Sequence, residues 1–369
     1  MQNYLRYICC FILAAALFSA AQAQFYYKNR TLTVTDGLSD NRITCFYKDS
    51  TGYVWIGTKK GLNRYDGHSF TIYEPKSVPS ISNEIINAIT GDKQGNIWVA
   101  TMSGLNRLNP KTGEWTTWSS DNSLGKNGLP NSLVWDIAFD REGFLWIASD
   151  VFSFARFDPE TNQFKYYDWL AFVKTISGKQ TRPGYHAIQR FLQKNEHEFW
   201  LASNKGLVHL NTQTHQFTFL GGNYNEDVHD LKWDSANHQV CVSLNSGRLF
   251  SYETQNRIYN EITAAADSYP STELPQNKSS SFYMAGSKGL LHIEQDKRLQ
   301  LTQHLPLLSF SLPPGAVTSV YLDRTGLCWI GTPNGIVIRD QHQNRSAFLP
   351  ITARNEKEGV NYMASVFYS

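Results

Sequence analysis

One ten-residue phrase recurs four times in this chain: DSTGYVWIGT from Asp49, DKQGNIWVAT from Asp92, DREGFLWIAS from Asp140 and DRTGLCWIGT from Asp323. Each copy places Gly three residues after Asp, Trp three after Gly, and Thr or Ser at the end. A spaced pattern repeated this often fixes the architecture as a repeat array. It also argues against any single copy being a catalytic centre, because such a centre is not normally built several times over. Weaker copies put Trp200, Cys241 and Tyr283 at the Trp position. The seven positions, 55, 98, 146, 200, 241, 283 and 329, lie 41 to 54 residues apart.

The second repeat shows what one unit is. Ile85–Thr90 is a short apolar run, and Asp92–Gly95 is a polar turn. A second run, Asn96–Thr101, follows. Leu105–Leu108 and Glu114–Trp118 alternate apolar and polar residues after further turns. These are four short strands joined by tight turns, and no stretch holds a helical period. The expected fold is all-β, a seven-bladed β-propeller of four-stranded antiparallel blades. The repeated residues are expected to be structural. Asp49, Asp92, Asp140 and Asp323 would hold turns in which Gly52, Gly95, Gly143 and Gly326 take positive φ. Trp55, Trp98, Trp146, Trp200 and Trp329 would fill the wedges between blades, with a small residue after each for close backbone approach.

The remaining sequence bounds where such a propeller works. Arg6, the apolar run Ile8–Ala16 and Ala21-Gln22-Ala23 form a signal peptide over residues 1–23, so export to the periplasm is expected. The propeller is assigned to residues 24–358. Residues 359–369 resemble the stretch from Gly37 and read as the start of a truncated eighth repeat. The formal charge is +2, without a Lys/Arg block, so nucleic acid is not an expected partner. The mature chain carries no membrane span. Cys45, Cys241 and Cys328 have no metal or disulfide spacing, and neither a metal nor a cofactor is expected. The longest insertion, Asp168–Pro183, is either a functional element or a lid on one face.

The opening TVTDGLSDNRITCFYKDSTGYVWIGTKKGLNRYDGHSF resembles the two-component regulator propeller repeat. It is similar to the first periplasmic propeller of Bacteroidetes hybrid two-component sensor histidine kinases. That resemblance implies a non-catalytic sensor of oligosaccharides, signalling as a homodimer or paired with a full-length sensor. The kinase, receiver and DNA-binding motifs of that family do not occur in these 369 residues, which would leave the chain truncated. A protein-interaction scaffold is the alternative. A propeller lyase is a weaker one, since the Gly-x-Ile-Gly-Arg phrase of streptogramin lyases is replaced by GLNRYD; HExxH and GxSxG are also absent.

Antiparallel strands place the loops entering each first strand and those between strands two and three on one face. Arg42, Lys59, Lys60, Asn131, His186, Asn204 and Lys205 fall on it, with amides and cations suited to sugar hydroxyls or carboxylates. Trp135 and Tyr185 are the aromatic candidates for sugar stacking.

Overall fold

The structure, a computed structural model, describes residues 29–75, 80–120, 128–129, 132–150, 153–177, 187–203, 205–222, 228–234, 238–244, 248–262, 281–286, 289–294, 300–305, 317–323 and 327–340. Contacts divide the chain into two units, residues 30–338 and residues 1–29 with 339–369. Of the second unit only Asn29, Arg339 and Asp340 are described, as ends of strands. The signal segment, Gly326 and residues 359–369 lie outside the described residues.

Residues 30–338 form an all-β propeller. The expected count of seven four-stranded blades is corrected. Among the described residues there are six four-stranded antiparallel blades, and a three-stranded sheet stands between the fifth of them and the last. That sheet is built from Ser281–Gly286, Gly289–Glu294 and Gln300–Leu305. The physical reason is in the sequence ahead of it. AAADSYPSTELPQNKSS from Ala264 contains no alternating or apolar run from which to draw an inner strand. Ser281–Gly286, which carries the motif position, itself packs between the inner strands on either side. The regular spacing of motif positions thus overstated the number of complete blades.

Each complete blade runs from its inner strand outward. In the first, Ile43–Lys48, Val54–Thr58, Gly61–Tyr65 and Phe70–Tyr73 pair in order. The closing blade is different. Its order is Asn29–Leu32, Gly335–Asp340, Leu327–Thr332, Ser319–Leu322, so the chain's first described strand supplies the outer edge of its last blade. Leu32, Ile336 and Ile338 share one apolar cluster with Ile43 and Val54 of the first blade. The N-terminal strand thus closes the ring. Lys48 Nζ also reaches Asp323 Oδ2 at 2.8 Å across the same junction.

The motif residues do what their chemistry suggests, and one thing more. Gly52, Gly95 and Gly143 have φ of 98°, 87° and 101°. One carboxylate oxygen of each turn Asp accepts backbone N–H groups, Gln94 and Asn96 in the case of Asp92. The other oxygen accepts the indole N–H. Trp55, Trp98 and Trp146 donate to Asp49, Asp92 and Asp140 at 2.8, 2.9 and 2.8 Å. Trp55 and Trp98 are fully buried, and each sits in a cluster with strands of the following blade. The small residue two positions later is required by the next blade's inner strand: a Cβ on Gly57 would stand 2.8 Å from Ile86 Cγ2.

Part of the insertion is helical, where the sequence showed no helical period. Trp169–Ser177 forms an α-helix. Trp169 and Val173, one turn apart, are buried against the fourth blade's Phe217 side. The helix is too short for its period to stand out in the sequence.

Candidate functional site

The inner strands enclose a cavity of about 180 Å³. Five of them begin with a β-bulge, at Thr44, Asn87, Trp135, Gln189 and His229. A bulge inserts one unpaired residue and re-aims its neighbours. The inserted side chains can tie blades together. Asn87 Nδ2 donates to Val134 O at 2.8 Å, and Gln189 Oε1 accepts from Val228 N at 2.7 Å.

The residue that follows each bulge pairs with the small residue two places after the motif position, so it is the same structural position in every blade. It is Cys45, Ala88, Asp136, Arg190 and Asp230 in the first five blades, and Ser319 in the closing one. All six line the cavity, with Lys232 two residues further along the fifth blade. The wall is therefore divided. The third to fifth blades present acid, guanidinium, acid and ammonium. The first, second and closing blades present a thiol, a methyl and a hydroxyl.

Burial sets the electrostatics. It pushes the Asp136 carboxyl up to about 6. Arg190 and the N–H groups of Phe191 and Ile137, at 3.3 and 3.0 Å, oppose that rise. Burial likewise pushes the Cys45 thiol up to about 11, which leaves it a poor nucleophile. Asp230 accepts from Leu231 N at 2.8 Å and lies 3.9 Å from Lys232 Nζ. Such a wall offers donors and acceptors on one arc to a polar guest held in low dielectric.

The loops at the head of these strands meet as the strand directions require. Lys59 N donates to Arg42 O at 3.1 Å. Ser39 N and Ser82 N bond Asn63 and Asn106, each at 2.9 Å, and both asparagines are fully buried. The Asn of the GLNR phrase is thus a strut for this face. Loss of hydration and the charges of Arg42 and Arg190 lower the Lys59 pKa. Arg42 is engaged with Asp40 through two bonds, 2.9 and 2.7 Å, and this holds the Asp40 carboxyl below its usual range. Lys60 and Lys205 occupy equivalent turns in the first and fourth blades, both with backbone N–H on a Thr or Ser hydroxyl. Trp135 is a bulge residue, partly buried, with its Nε1 enclosed and without a hydrogen bond among the described residues. Asn131, Tyr185, His186 and Asn204 lie outside the described residues.

Sequence reasoning found the face and missed the cavity wall. The signal was present in part: Asp136 and Arg190 are each the one charge in their inner strands, whereas Asp230 shares its strand with Lys232 and Asp234. Among the described residues no group of three or more His, Cys, Asp or Glu could hold a metal ion. Among the described residues Cys45, Cys241 and Cys328 form no disulfide. No described helix is long and apolar enough to cross a membrane.

Comparison with known proteins places this geometry. The family model for the two-component regulator propeller matches residues 37–60, 80–103, 128–150 and 311–334. Histidine kinase P4 of Formosa agariphila is 38% identical over 74 residues, covering 20% of this chain and 5% of the kinase. The extracellular domain of a hybrid two-component system from B. thetaiotaomicron superposes with a TM-score of 0.68 at 20% identity, covering 85% of this chain and 42% of that one. This chain therefore spans less than half the length of that domain. Virginiamycin B lyase from Staphylococcus aureus has a TM-score of 0.58 at 11% identity, covering 86% of this chain and 99% of the lyase. Identities this low in the two solved structures report a shared fold.

Proposed function

Because this chain carries two-component regulator propeller repeats, we propose that it is a non-catalytic sensing propeller that works outside the cytoplasm and takes an oligosaccharide as ligand. The observation that carries the reading is the divided cavity wall, with Asp136, Arg190, Asp230 and Lys232 gathered on one arc. Paired acids and bases within a half-ring satisfy hydroxyl groups, which both donate and accept. Struts such as Asn63 and Asn106 keep the entry face preformed, which lowers the ordering cost of binding. The likeness to an extracellular domain of a hybrid two-component system supports the location and the sensing role. Output in this reading passes through a second copy or a full-length sensor.

Thermal unfolding against a panel of plant and host oligosaccharides tests it. Binding to the native state raises the midpoint with dose. Arg190→Ala should abolish the shift given by neutral oligosaccharides while the variant still melts cooperatively. A full panel with no shift in the parent chain would discard the glycan reading in favour of a protein-interaction scaffold.

A further inference from the structure

The repeat departs from its pattern in more than one blade, and at the fourth a groove opens. In the first three blades the turn carboxylate caps the buried indole, and an Arg of the third strand lies against an aromatic ring nearby. Arg64 stands 5.9 Å from the Trp55 ring, and Arg107 stands 5.6 Å from the Trp98 ring. The fourth blade keeps Trp200 but puts Lys194 where the Asp should be and His209 where the Arg should be. The turn charge is inverted and the covering side chain is shortened. Between this blade and the fifth lies a cavity of about 420 Å³, on the face opposite the loops described above.

The side chains that line it are arranged by charge. Glu198 is held by Lys194 at 2.9 Å, by Asn195 at 2.6 Å and by His209 at 3.3 Å. Burial and Lys194 push the His209 imidazole down, and burial is the larger effect, so it is neutral near pH 7. The Lys194 charge is thereby balanced by Glu198. Arg257 is exposed on the opposite wall, and among the described residues it has no charged partner. The groove thus carries one uncompensated guanidinium. Phe219, 42% exposed, sits on its rim beside Thr218, while Tyr252 and Trp200 close its floor.

We propose that this groove is a second binding site, for a carboxylate-bearing sugar. The exposed Phe219 ring offers a stacking face to a pyranose. Arg257 offers a two-pronged donor to its carboxylate. Thr218 and the Glu198–His209 pair are the partners for hydroxyls. The proposal rests on the glycan-sensing reading and adds to it a sugar class and a site apart from the ring cavity.

Calorimetric titration of the purified chain with trigalacturonate and with neutral galactotriose tests it. Trigalacturonate is expected to bind at least tenfold more tightly. Arg257→Ala should remove that preference, and Arg190→Ala should leave it intact. The double variant Lys194→Asp with Glu198→Asn copies the second blade's Asp92–Asn96 pair and should also lose it, while melting at or above the parent temperature. Loss of the preference with Arg190→Ala alone would overturn the groove and leave the ring cavity as the glycan site. Binding of both sugars with equal affinity would overturn the groove as well and leave the sensing role standing. Binding of neither sugar, together with an unshifted glycan panel, would overturn both.

Discussion

The second and fourth blades solve the same packing problem with different chemistry. In the second, Asp92, Trp98 and Arg107 form a closed set: a carboxylate on the indole N–H, a guanidinium on the ring face, and no exposure of the indole. In the fourth, Lys194, Trp200 and His209 hold the same places. A cation cannot accept the indole N–H, and a His cannot span the ring as an Arg does. The first set is what a wedge between blades needs. The second keeps Trp200 buried but flanks it with a groove lined with groups that can bind. Deviation from a repeat is therefore more informative than the repeat itself, because the shared positions are already accounted for by packing.

The largest expected effect comes from breaking the closed set. Trp98→Ala should destabilise the chain by about 3–5 kcal/mol, the range for removing a large buried aromatic. Guanidinium unfolding would show this as a lower midpoint with an unchanged slope. Asp140→Asn is milder. It replaces a carboxylate that accepts from Trp146 Nε1 and from two backbone N–H groups by an amide that can serve only some of them. A loss of about 1–3 kcal/mol is expected. An unchanged midpoint would mean that the turn, not the indole cap, is all the Asp provides.

The repeat made much of this fold legible. Asp, Gly and Trp at fixed offsets must act alike in each blade, so their roles as turn and wedge could be read once and carried over. The incomplete sheet was not legible, because Tyr283 kept the spacing although the sequence before it had no strand to offer. The cavity wall escaped for a different reason. Cys45, Ala88, Asp136, Arg190, Asp230 and Ser319 are one structural position filled by five residue types, and in five of the blades a bulge shifts it out of simple alternation. Their equivalence exists only in the register. The groove was half legible. Lys194 can be seen to replace an Asp, but Phe219 and Arg257 come to it from other strands and another blade.

The two halves of the cavity wall can be separated by pH. The Asp136 carboxyl titrates near 6 in the folded chain, against roughly 4 in an unfolded one. A carboxyl raised by burial favours the folded state while protonated. Its contribution is complete below about pH 4 and is lost as pH rises through 6. The loss should be about 1–2 kcal/mol, less than the full shift implies, because the cavity admits water. Melts from pH 4 to pH 8 should show the parent losing this increment relative to Asp136→Asn. The uncharged arc predicts no counterpart: Ala88→Ser should leave the pH profile unaltered.

The smallest effect asks whether the fourth blade has forgone stability for its groove. Lys194→Asp with Glu198→Asn restores a carboxylate beneath Trp200 and gives it the amide neighbour that Asp92 has in Asn96 at 2.8 Å. It also removes a half-exposed ion pair, Lys194 to Glu198, which contributes little in water. The balance is a gain of up to about 1 kcal/mol, of the size that repairing a local departure usually yields. A rise in the unfolding midpoint would mean that Lys194 is held against stability, as a residue kept for binding would be. A fall of similar size would mean that Lys194, Glu198 and His209 are a packing solution of their own, and the two blades would then differ in sequence but not in purpose.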